Sequence, residues 1–258
     1  MKMKRLLRIA RTEVLEHRRQ PWMLFILCLN YALWGVLFGL FFLMLDRFAA
    51  MPDLDAQLRA QMKGLGIEFD TVLQVATSTY ASLSFTNLPL YVAIMSGTSV
   101  IHDRESGTMP FLMLAPVTRA QLLLGKLLGA MAFPFVFHVV LVGVFSLGLG
   151  RLQSLAPFAH KFGASPAWWF AFLIGAPASA AFVGALGAVI SALSRDVRTS
   201  MQFTSFFVGL LSLAFGAVLV DGITQGLWLQ VVFAVACFLA AALTLAIGAR
   251  LISRDVTA

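Results

Sequence analysis

The sequence predicts an all-α polytopic membrane protein: six transmembrane helices preceded by an amphipathic cytoplasmic surface helix. Composition is the first observation. Of 258 residues, 60% are hydrophobic and 12% charged, with 23 Phe and 5 Trp, and mean hydropathy is +0.87. A soluble domain carries about 25% charged residues. The second observation is where charge is missing. Trp22–Leu45, Thr71–Ile101, Leu127–Gly150, Ala167–Ser194, Thr199–Val220 and Gly222–Ala249 contain no Asp, Glu, Lys or Arg. About 20 apolar residues at about 1.5 Å each cross a hydrocarbon core of roughly 30 Å. The third is periodicity. Lipid admits only helices or closed barrels, and barrel strands are about ten residues of alternating polarity. "LLSLAFGAVLV" does not alternate, and the uncharged runs are too long for such strands.

In chain order, residues 1–21 form the surface helix. At about 100° per residue, Met3, Leu6, Leu7, Ala10 and Val14 share one face, with Lys4, Arg5, Arg8, Arg11 and Arg19 on the other side. That pattern suits a helix lying in the interface and held by anionic lipid. A cleaved signal has an apolar core of about 7–15 residues, whereas Trp22–Leu45 has 24. The transmembrane domain then occupies 22–249, with spans near 22–45, 78–101, 124–149, 167–193, 200–220 and 227–249, and a tail at 250–258. After the first span, "DLDAQLRAQMKGLG" reads as a short outer helix ending near Gly64. Trp168, Trp169 and Trp228 fall at outer span ends, where interfacial aromatics belong. Asp221–Gly226 is short enough to make the last two spans a tight hairpin.

With an even number of spans both termini share a side. That side holds 14 Lys/Arg and the other holds 5, so the termini are expected in the cytoplasm, here beneath a bacterial inner membrane. The net charge of +7 is accordingly a topology signal, with no nucleic-acid partner expected.

No catalytic, metal or cofactor set emerges. Cys28 and Cys237 lie inside spans and form no CxxC pair. There is no HExxH, and "GTSVI" at Gly97–Ile101 lacks the last glycine of a nucleophile elbow. "GKLL" at Gly125–Leu128 is no phosphate loop, because Ala120 stands where the first glycine belongs. The uncharged spans argue against an ion-coupled transporter, which keeps titratable groups in the membrane. His138, Asn30, Gln74 and Asn87 read first as interhelical hydrogen-bonding groups. Gly175/Ser179 and Ala180/Gly184/Ala188 form a small-residue face for close helix packing.

The link "IHDRESGTMPFLMLAPVTRAQLLLGK" is more elaborate than a connection requires. "HDRESGT" is a charged exit with a turn at Ser106–Gly107, and Thr108 is a candidate N-cap. "MPFLML" makes one to two apolar helical turns that Pro116 stops, after which Thr118 caps the next helix. A short apolar helix flanked by Asp103, Arg104 and Glu105 suits insertion into a groove on another protein.

This segment resembles the signature of membrane subunits of type-2 ABC exporters, E-R-E-x-G-T-L-E-x-L-L-x-x-P-x-x-R-x-x-x-L-L-G-K. Arg104, Glu105, Gly107, Thr108, Pro116, Arg119, Leu123, Leu124, Gly125 and Lys126 match it in order and spacing. Asp103 stands for the leading Glu and Pro110 for a later one. The resemblance implies a permease subunit of an ATP-driven exporter, paired with a second permease copy and with a separate ABC ATPase subunit. That ATPase would carry ATP and Mg. The residues implied in ATPase coupling are Asp103, Arg104, Glu105, Gly107, Thr108, Met109 and Phe111, with Arg195 and Arg198 in a second cytoplasmic loop. The alternative is a stand-alone channel or secondary transporter.

Overall fold

A computed structural model describes residues 2–51, 56–57, 60–61, 63–64, 66, 69–114, 116–149, 151 and 166–255. Among these residues there are helices and no strand. Helix α1 spans Lys2–Arg18, α2 Pro21–Ala49, α3 Phe69–Glu105 and α4 Met109–Leu114. Helix α5, Arg119–Phe137, runs through a π-helical turn at His138–Val142 into α6, Gly143–Leu149. Helix α7, Pro166–Phe170, likewise runs through a π turn at Ala171–Gly175 into α8, Ala176–Leu193. Helices α9, Val197–Gln225, and α10, Leu227–Asp255, complete the chain.

Among the described residues, five stretches are long and apolar enough to cross a membrane: Pro21–Arg47, Arg119–Val142, Pro166–Leu193, Val197–Val218 and Leu227–Leu251. The expected second span lies within α3, which is not among the five. Its hydroxyls explain its lower apolarity, and they serve the inside of the bundle. Ser96 Oγ donates to Gly184 O at 2.8 Å, Thr86 Oγ1 to Ser212 O at 3.2 Å, and Ser200 Oγ of α9 donates back to Gly97 O. Each hydrogen bond satisfies a group that lipid could not.

Helix α8 lies at the centre, packed against α3, α10 and α9. Its small residues permit this. A Cβ on Gly187 would stand 2.7 Å from Ala93 O, and one on Gly184 would stand 2.6 Å from Val92 Cγ1. The small-residue face thus serves packing within the chain. Helix α2 is peripheral. It buries Leu27, Tyr31 and Phe42 while Leu33, Val36 and Leu40 face outward. The last two spans are joined by Gly226 alone, at φ 120°, a connection shorter than the six-residue loop read from the sequence.

One local expectation needs correction. Trp168 is fully buried against Phe85, so it is a core residue, while Trp228 is 78% exposed. The Met3/Leu7 stripe of helix α1 is exposed. Another side of α1 packs on α5, where a Cβ on Gly125 would be 2.7 Å from Ile9 Cγ2 and one on Gly129 would be 2.9 Å from Ala10 O. As the Thr118 cap predicts, α5 begins at Arg119, and Lys126 sits two turns inside it, 2% exposed. Half of the residues of the short outer helix expected near Gly64 lie outside the described residues.

Candidate functional site

The link is built in three steps. Helix α3 ends at Glu105, and the chain reverses through Ser106 and Gly107, whose φ of 70° is a conformation that glycine adopts freely. Thr108 occupies the N-cap position of α4, but its hydroxyl turns back and donates to Asp103 O and Oδ1, both at 3.2 Å. The six-residue α4 stops before Pro116, and Thr118 opens α5 with a reciprocal capping box. Gln121 N donates to Thr118 Oγ1 at 3.2 Å, and Thr118 N donates to Gln121 Oε1 at 3.1 Å.

Behind this link lies a buried charge cluster. Three oxygens surround Lys126 Nζ: Asp103 Oδ2 at 2.7 Å, Glu13 Oε2 at 2.8 Å and Ser99 O at 3.1 Å. Of the three N–H donors of an ammonium, two are accepted by Glu13 Oε2 and Ser99 O, and Asp103 Oδ2 completes the ion pair. All three charged side chains are at most 5% exposed. A buried ion is tolerable only when paired and hydrogen-bonded, and this one is. The cluster ties three elements together: α1 through Glu13, α3 through Asp103 and α5 through Lys126. Because Asp103 also receives Thr108, the start of α4 is anchored to the same point. His17 Nδ1–H donates to Glu13 O at 2.7 Å and closes the cluster on the α1 side.

The next two residues of the motif fix a second junction. Arg104 Nη2 donates to Ala192 O at 2.7 Å and Nη1 to Ser194 O at 3.0 Å, placing its charge on the carbonyl end of α8. Glu105 Oε1 accepts from Val197 N at 3.2 Å, placing its carboxylate at the N-terminus of α9. Asp196 completes that cap, accepting from Thr199 N and Thr199 Oγ1, both at 2.8 Å. These hydrogen bonds hold its carboxyl below the ordinary aspartate range. Adjacent residues on α3 thus grip both sides of the 194–196 turn.

What remains outward is apolar. Phe111 is 74% exposed and Leu114 84%, whereas Met109 packs against the core. Arg195 and Arg198 are exposed beside the link. The predicted site residues therefore separate into two groups. Asp103, Arg104, Glu105, Gly107, Thr108 and Met109 shape and hold the link, and Phe111, Arg195 and Arg198 face away from the molecule.

Pockets of about 290 Å³ and 210 Å³ flank the cluster. The larger lies between α1, α4 and α5; Glu16 lines both. Burial, and after it the neighbouring Glu13 carboxylate, holds the Glu16 carboxyl above the ordinary glutamate range.

Farther along the bundle, His138 is fully buried at the first π turn, and its Nε2–H donates to Phe172 O in the second π turn at 3.3 Å. This is the interhelical role expected of it. A π turn frees backbone groups for such contacts.

Sequence reasoning missed Glu13 as a partner. The signal was present: Leu6, Ile9, Ala10, Glu13 and His17 recur at helical spacing, and Gly125 and Gly129 form a GxxxG on the opposing helix. A carboxylate on that stripe needs a cation, and Lys126 follows Gly125 directly.

Comparison with known proteins agrees with this architecture. No individually curated protein matches the chain. A family model described as "ABC-2 family transporter protein" matches residues 7–232, from α1 through the first turns of α10 and across the whole link. The chain therefore belongs to the ABC-2 family of transporter proteins, as a multi-pass membrane permease of an ABC transporter.

Proposed function

We propose that the chain is the membrane subunit of an ATP-driven exporter. Helix α4 seats in a cleft of a separate ATPase, and the substrate path runs between this subunit and a second permease copy. The observation that carries the reading is the pairing of an outward apolar helix with a rigid mount. Phe111 and Leu114 project from α4, while Asp103, Arg104 and Glu105 fasten its base to α1, α5, α8 and α9. A helix presenting two large apolar side chains fits a groove, and an anchored base transmits force rather than absorbing it. The basic end of the bundle is the cytoplasmic one, beneath a bacterial inner membrane. ATP and Mg belong to the partner, and this chain contributes no hydrolytic group.

Purification from the native host in mild detergent tests the reading. A partner carrying a GxxxxGK[ST] phosphate loop should be retained in stoichiometric amount, with ATP-dependent substrate movement in vesicles. Movement by the purified chain without ATP would favour a stand-alone transporter instead.

A further inference from the structure

We propose that the pocket between α1, α4 and α5 binds the headgroup of a zwitterionic phospholipid with a primary ammonium, of the phosphatidylethanolamine class. Helix α1 lines this pocket with Arg5, Arg8, Thr12 and Glu16, residues three and four apart that share one stripe. The stripe is polarised, with two guanidiniums at one end, a hydroxyl between, and a carboxylate at the other. The facing wall is apolar, formed by Leu112, Pro116, Val117 and Leu122. A phosphate suits the arginine end and an ammonium the glutamate end.

The neighbouring charges narrow the choice. Glu13 and Asp103 also reach the pocket, but both are engaged by Lys126. Among the described residues Glu16 has no ion-pair partner, nor does the Arg8 guanidinium, while Arg5 donates to Pro116 O. The charges lining the pocket, Arg5, Arg8 and Lys126 against Glu13, Glu16 and Asp103, balance to zero, so a headgroup without net charge keeps the site neutral and an anionic one does not. A choline headgroup would offer Glu16 no N–H donor, whereas a primary ammonium offers three. The Glu16 carboxyl, raised by burial and by Glu13, gains in an ammonium the counter-ion it lacks.

Position and size favour a lipid over a soluble amine. Met3, Leu7 and Leu15 of α1 are 66%, 57% and 45% exposed, an apolar edge of the kind that rests in the membrane interface. The volume of about 290 Å³ accommodates a headgroup and leaves the acyl chains outside. Arg8 and Glu16 are about 12 Å apart along the helix axis, a distance their long side chains and the phosphate–ethylene–ammonium unit cover together. The inference does not depend on the ATPase reading.

The test is native mass spectrometry of the delipidated full chain, titrated with phosphatidylethanolamine, phosphatidylcholine and phosphatidylglycerol of identical acyl chains. The first lipid should bind phosphatidylethanolamine over phosphatidylcholine by about tenfold, the size of one charge-assisted hydrogen bond. Glu16→Gln should collapse that ratio to about one with phosphatidylcholine binding unchanged, and Arg8→Gln should weaken both lipids alike. Thr12→Phe, a substitution at an exposed position that fills the pocket, should also weaken both and covers the case of a poorly folding Glu16 variant. Equal binding of the two zwitterionic lipids by the wild type overturns the proposal, as does a preference for phosphatidylglycerol. Displacement by equimolar soluble glycerophosphoethanolamine would overturn the assignment to a lipid.

Discussion

Lys126 concentrates the residue-scale argument. Its ammonium is buried against two carboxylates and a carbonyl, so removing it strands two negative charges side by side. Lys126→Met should cost about 3–5 kcal/mol of stability, the usual consequence of breaking a buried pair from one side. The measurement is thermal unfolding in detergent, and adding Glu13→Gln should recover part of the loss. Wild-type melting of the single variant would mean that the cluster is not formed. Glu16 gives a second prediction, with the sign set by its raised carboxyl. A folded pKa above the unfolded one means that the ionised form is disfavoured in the folded state. In lipid-free detergent, stability should therefore fall as pH rises from the ordinary value of 4.5 through the folded value. The Glu16→Gln variant should lack that component, so the wild-type-minus-variant difference in melting temperature should decline over the same window.

At the scale of elements, the α1–α5 contact is set by glycines. A Cβ at position 129 would fall 2.4 Å from Glu13 Cβ and 2.9 Å from Ala10 O, the latter a backbone atom that cannot rotate away. Gly129→Ala should destabilise by about 1–3 kcal/mol through overpacking. Gly39→Ala on peripheral α2 meets nothing within 4 Å and should be neutral or stabilising by up to about 1 kcal/mol, the helix propensity difference. Equal effects at the two positions, read by thermal unfolding, would contradict the packing described. The same comparison explains what was legible beforehand. Five of the six expected spans were readable because lipid forbids charge within them, and the Thr118 cap and the glycine turn at 107 were readable because their chemistry is local. The pairing of Glu13 with Lys126 and the Arg104 grip on α8 were not. They join residues 113 and 88–90 positions apart, and local pattern carries no distance information of that kind. The side of α1 that meets α5 was hidden for a related reason, since the glycines that mark it lie on α5.

Across the chain the proposed coupling is mechanical. Helices α1, α3, α5, α8 and α9 converge on the base of α4, so a push on α4 is delivered to the bundle as a unit. In the proposed reading the motor contacts the outward apolar residues of α4, while the charged residues of the motif act from inside. The most direct test is photocrosslinking in native membranes from a photoreactive residue placed at position 111, with position 40 on α2 as control. The account predicts a crosslink from position 111 to a chain carrying a phosphate-binding loop, lost when Leu114 is also replaced by Asp, and no such product from position 40. Crosslinks from position 111 only to lipid or to this chain itself would contradict it.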